Sequence, residues 1–131
     1  MSGIEILSEF RNQLIIFFDE LITQFPLESD LVIVRLFISN QVPIQKVMDT
    51  FTYKINKNDH ELRTMVKSRN EAFFLEHSVF EELDQDKVNH FKKLWRSGQL
   101  DDDDKDVIWK WIETFIYLSD KFNKLKRVEG S

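Results

Sequence analysis

The stretch Leu31-Val32-Ile33-Val34-Arg35-Leu36-Phe37-Ile38 decides the fold class. It is apolar at every position but Arg35, so periodicity alone cannot separate a buried strand from a buried helix. Its surroundings separate them. No second run of this kind exists for it to pair with, and an unpaired strand would leave its backbone groups without hydrogen-bond partners. The run therefore reads as a helix within 27–40, buried on most sides near the middle of the domain.

The segments on either side support an all-α reading. Leu7, Phe10, Leu14, Phe17, Phe18, Leu21 and Phe25 recur at three- and four-residue steps, which places them on one face of a helix over about 4–25. Ile16 falls nearly opposite that stripe. Pro26 closes the helix. Pro43 suits the first position of a third helix, whose apolar edge is Ile44, Val47, Met48 and Phe51. The polar run Lys54-Ile55-Asn56-Lys57-Asn58-Asp59 predicts a mobile loop. Asn58 with Glu61, and Ser68 with Glu71, have the spacing of helix caps.

Leu62, Met65, Val66, Ala72, Phe73, Phe74 and Leu75 predict one interrupted helix or two short ones. Val88, Phe91, Leu94 and Trp95 mark a further helix, with Gly98 as its left-handed cap. A last helix is expected from Asp101 to about Lys126, with Ile108, Trp111, Ile112, Phe115, Leu118, Phe122 and Leu125 as its stripe. Trp109 and Ile116 widen that stripe to about half the circumference. The expected architecture is a compact single-domain bundle of about five to seven helices over 1–131, with termini 1–3 and 128–131 flexible.

Composition agrees with this reading. The 131 residues are 42% hydrophobic and include 12 Phe and 3 Trp, enough for a bulky core. Only 3 Gly and 2 Pro occur, fewer turn residues than a many-stranded fold needs. The absence of Cys excludes disulfides, thiolate metal ligands and thiol nucleophiles. No secretory signal or membrane-length apolar run is visible, so cytoplasm or nucleus is expected.

Catalytic signatures are missing. Gly3, Gly98 and Gly130 stand alone, which argues against phosphate- and dinucleotide-binding loops. No Ser lies in a nucleophile elbow. The pairs His77/Glu81 and Asp86/His90 have i, i+4 spacing, but such pairs are more often surface contacts than metal ligands. No cofactor, metal or small-molecule substrate is expected. An unrecognised metal-dependent enzyme is retained only as an alternative.

Three surface features stand out. Asp101-Asp102-Asp103-Asp104-Lys105 has the pattern of the linker cut by enteropeptidase, yet lies between two amphipathic segments. Its acids complement the positive end of a helix dipole, and Asp101 suits a cap. A docking patch is the sharper reading. Lys54, Lys57, Arg63, Lys67 and Arg69 form a basic cluster, and Lys121, Lys124, Lys126 and Arg127 another. Either could meet phosphates, although the net charge of −5 runs against wrapping nucleic acid. Ile16, Trp109, Trp111 and Ile116 are surplus apolar residues of the kind that anchor interfaces. A protein partner or self-association is therefore preferred, with nucleic acid as the alternative.

Phe91-Lys92-Lys93-Leu94-Trp95, then Leu100 with the acidic run, then Ile108-Trp109-Lys110-Trp111 and Phe115 resemble small uncharacterised proteins of nucleocytoplasmic large DNA viruses. The likeness is strongest over 91–122. It implies a viral origin and a virion or infected-cell location, and it carries over no active-site residue. The function expected from sequence is a non-enzymatic interaction or structural protein, with a virion or infection-stage component as its setting.

Overall fold

Ser2 starts the first helix: its hydroxyl accepts from the Glu5 amide at 3.2 Å, satisfying one of the donors that a helix start leaves open. In a computed structural model, which describes residues 2–40, 43–72 and 85–130, five helices follow in order. They are α1 (Gly3–Gln24), α2 (Ser29–Asn40), α3 (Ile44–Ser68), α4 (Gln85–Arg96) and α5 (Asp102–Gly130). No strand occurs among the described residues, and the fold is all-α. The expected helix–strand ambiguity at 31–38 resolves as helix. Phe73, Phe74, Leu75, His77, Val79 and Phe80 lie outside the described residues.

The described residues divide into two compact units, Met1–Tyr53 with Phe115–Ser131, and Lys54–Thr114. In the first, α1 buries Ile6, Phe10 and Leu14. Phe10 meets Phe115 edge-on at 5.8 Å between ring centroids and Phe51 at 6.0 Å. Phe17 and Phe51 also approach Phe115, at 5.6 and 6.5 Å. Such edge-to-face contacts match positive ring edges to negative faces.

Beside this aromatic cluster lies a polar one. Ser119 is fully buried at the centre of the apolar stripe of α5. Its hydroxyl shares a hydrogen bond with Thr52 at 2.7 Å, and the Asn123 amide donates to Thr52 at 3.0 Å and to the Ser119 carbonyl at 2.7 Å. Sliding α5 against α3 would leave these groups unpaired, so the network fixes their register.

The second unit is built on Ile55, Leu62, Met65, Val66, Trp95, Leu100 and Trp109, all buried. Trp95 and Trp109 meet edge to face at 5.5 Å. Glu71 receives hydrogen bonds from the Trp95 indole and from Lys105, the latter at 2.9 Å. The Lys105 hydrogen bond chiefly holds the Glu71 carboxyl below the ordinary value of 4.5; the Trp95 hydrogen bond and the charges of Lys105 and Arg96 add to it, against burial. A lowered carboxyl stabilises the fold above pH 4.5, and that stability is lost as pH falls through the folded value. The urea midpoint should therefore drop on acidification below pH 4.5, and Glu71→Gln should flatten that part of the profile. Equal acid sensitivity in both proteins would remove Glu71 from the cause.

Four local expectations are corrected. Pro43 is not the first residue of α3 but precedes it, its carbonyl accepting from Lys46 at 3.0 Å. No loop separates Lys54 from Asp59. α3 runs through, and the disturbance predicted there is concentrated at Asp59 and His60, whose φ values are 57° and 63°. Aspartate tolerates the left-handed region through its short polar side chain. Ser68 does not cap a following helix, because it closes α3, donating to the Met65 carbonyl. Arg69 (φ 57°) and Asn70 complete the ending by bonding back to Val66 and Met65, a Schellman arrangement with arginine where glycine is usual.

Gly98, in turn, has no positive φ. α4 ends instead at Ser97, whose hydroxyl donates to the Leu94 carbonyl at 2.7 Å. That bond supplies the satisfaction expected from a glycine cap.

Candidate interaction surface

Pro26 and Leu27 form the turn between α1 and α2. α2 then packs against α1, with Arg35 donating to Asp19 at 2.5 Å across the pair. This is where the sequence reading of α2 as a helix buried on most sides fails. Only Ile38 is buried, and Leu31, Arg35 and Ser39 are half-buried. Val32, Ile33, Val34, Leu36 and Phe37 are 39–50% exposed. α1 covers one flank of α2, while an apolar run without periodicity presents apolar side chains on every flank.

At 100° per residue, Ile38 and Leu31 mark the inner side and Ile33 and Leu36 the middle of the outer side. Val32 and Phe37 flank that middle line. Arg35 lies away from it and is already bound by Asp19. Between Asp30 and Ser39 the outer face thus carries no charge. An apolar patch of this kind, on the order of several hundred Å2, is the size that marks an interaction site on a monomer. Leu27, at the entry to α2, is 94% exposed.

The residues singled out from sequence take different places. Ile16 is exposed on α1 at 44%. Trp109 is only 4% exposed, held by Trp95 and by the Arg69 guanidinium 5.9 Å from its ring centre. Its ring is core of the second unit, so it presents little surface to a partner. Trp111 and Ile116 are half-buried.

Asp101 caps α5 as its position allows: its carboxylate accepts from the Asp104 amide at 2.7 Å, and the Asp104 carboxylate accepts from the Asp101 amide at 3.3 Å. This reciprocal box accounts for two of the four acids, and Asp102 and Asp103 stand exposed in the first turn. Asp101→Ala should lower stability by about 1 kcal/mol in urea unfolding, whereas Asp102→Ala should cost less than half of that. Equal costs would assign the effect to charge instead of to the cap.

Among the basic residues, Arg69 forms ion pairs with Asp106 (3.7 Å) and Glu113. Arg63 donates to the Asn56 side chain at 3.1 and 3.0 Å. The left-handed residues Asp59 and His60 fall between Lys54/Lys57 and Arg63/Lys67, so these cations do not continue one helical register. In the other unit Lys121 sits 5.8 Å from the Tyr117 ring centre, and Lys124, Lys126 and Arg127 are exposed.

His60 bonds to Asn56 at 3.1 Å, and His90 is exposed on α4. No cluster of three or more His, Asp or Glu side chains able to hold a metal ion occurs among the described residues. No helix among them is long and apolar enough to cross a membrane.

Compared with protein-family models, with curated proteins and with solved structures, the chain has no significant match. The outer face of α2 escapes the sequence reading although its residues are in view there. Its signal is the lack of any polar position between Leu31 and Ile38 other than Arg35, which leaves no side of the helix suited to water.

Proposed function

We propose that the protein is a non-enzymatic protein–protein interaction or structural protein that docks through the outer face of α2. The observation that carries this reading is the exposure of Val32, Ile33, Leu36 and Phe37 on one uncharged surface. At about 25 cal/mol per Å2, covering several hundred Å2 yields on the order of 10 kcal/mol before the costs of association. The likeness of 91–122 to proteins of large DNA viruses adds a setting, a virion or infection-stage component.

The test places a photo-crosslinking side chain at Ile33 and, as a control, at the exposed polar position Asp49. Irradiation in the cells that make the protein should join position 33 to a defined polypeptide and leave position 49 unjoined. Equal or absent adducts at both positions would overturn the reading.

A further inference from the structure

The outer face of α2 has a pattern that reads alike from either end. Ser29, Ile33, Leu36 and Asn40 follow one another at steps of four, three and four residues, and all fall within about 60° on the helix. Val32 flanks Leu36 on one side, and Phe37 flanks Ile33 on the other. Reversing the helix about the midpoint between Val34 and Arg35 exchanges Ser29 with Asn40, Ile33 with Leu36 and Val32 with Phe37. Polar positions thus map onto polar ones and large apolar positions onto large apolar ones. An antiparallel two-fold pairing of this face therefore sets apolar positions against apolar ones and polar ends against polar ends, the self-complementarity that such an interface needs.

From this pattern we infer that the occupant of the α2 face is a second copy of the chain, bound antiparallel across a two-fold axis. The inference rests on the proposed docking role of α2 and names its partner. Ile33 of each copy meets Leu36 of the other, while Val32 lines one edge of the contact beside its own counterpart and Phe37 lines the other edge beside its own. Ser29 and Asn40 meet at both ends, where one side chain donates and the other accepts. Opposed helix dipoles favour the antiparallel sense.

Charge is compatible with the pairing. Arg35 is neutralised by Asp19 within its own copy, so the contact buries no cation lacking a counter-ion. The available area is modest. Two such faces bury close to the roughly 1,000 Å2 at which a specific interface begins, so the dimer is weak and concentration-dependent. Each copy carries a net charge of −5, and added salt should strengthen the pair by screening that repulsion. Phosphate binding would respond in the opposite direction.

The test is sedimentation velocity on the full chain across a concentration series, with Ile33→Lys, Leu36→Asp and an equimolar mixture of the two. Both residues are about half exposed, so the variants should keep their fold, and thermal melting by circular dichroism checks this. The wild type should pass from one to two chain masses as concentration rises. Each variant alone should raise the dissociation constant about a hundredfold, because it presents an unpaired charge to an apolar partner position twice per dimer.

In the mixture, the lysine of the Ile33→Lys chain meets the aspartate of the Leu36→Asp chain, and the remaining pair is native. The mixture should recover association to within about tenfold of the wild type. An unfolded variant could not produce that gain.

A wild type that stays monomeric at every concentration, or a mixture no better than its components, overturns the second copy as occupant. In that event an adduct from position 33 to a different polypeptide still upholds the docking role. The absence of any adduct as well removes both.

Discussion

Replacing Phe10 by alanine should destabilise the protein by about 3–5 kcal/mol, the range for a large aromatic removed from a packed core. Phe10 is 2% exposed and meets both Phe51 and Phe115. Its removal strips partners from two rings at once, and each such aromatic pair contributes about 0.5–1.5 kcal/mol beyond area alone. Proteins of this size have a total stability of about 5–15 kcal/mol, so the variant should be close to its unfolding threshold. Urea unfolding followed by far-ultraviolet circular dichroism measures the loss. Ile16→Ala, at an exposed position of the same helix, should stay within about 0.5 kcal/mol of the wild type. A Phe10→Ala cost below about 1 kcal/mol would mean that the ring cluster collapses around the gap or is loosely packed.

Trp95→Ala should be comparably severe in the other unit, again about 3–5 kcal/mol. The side chain is 1% exposed, supports Trp109 and donates its indole proton to Glu71. Its loss removes one of the two buried indoles of that unit and takes from the Glu71 carboxylate the donor it has besides Lys105 among the described hydrogen bonds. Trp95→Phe separates the two contributions. It keeps most of the apolar ring, loses the N–H donor, and should cost about 1–3 kcal/mol. Near-ultraviolet dichroism should follow the same order, since the Trp95–Trp109 pair is a rigid chiral contact. Equal costs for the two variants would place the energy in the hydrogen bond instead of in packing.

The fold class is legible in the sequence because the apolar steps of α1 and α5 match the helical period over several turns. Phe10, Leu14, Phe115, Leu118 and Phe122, read as core, are buried. Sequence reasoning fails where side chains answer to partners distant in the chain. Ser119 is a polar residue within an apolar stripe, and only Thr52 and Asn123 make sense of its burial. Arg69 groups by sequence with the surface cations, whereas Asp106 and Glu113, far along the chain, neutralise it.

The candidate site illustrates the same limit. An unbroken apolar run states that a helix avoids water on all sides. It does not state how many of those sides its own chain will cover. Among the described residues α1 packs on one side of α2, and the exposed remainder becomes visible only when α1 and its Asp19–Arg35 contact are in place.

The capped start of α5 has a consequence for proteolysis. The bond after Lys105 follows the four aspartates that enteropeptidase reads, yet it lies in helical backbone, with Asp101 and Asp104 locked in their box and Lys105 held by Glu71. A protease must draw its substrate into an extended strand, so the folded chain is cut only from conformations in which this turn has opened. When closing outpaces cleavage, the cutting rate is proportional to the equilibrium population of the open turn. The native sequence thereby carries its own kinetic gauge of how often α5 unwinds from its beginning, with no label or substitution required.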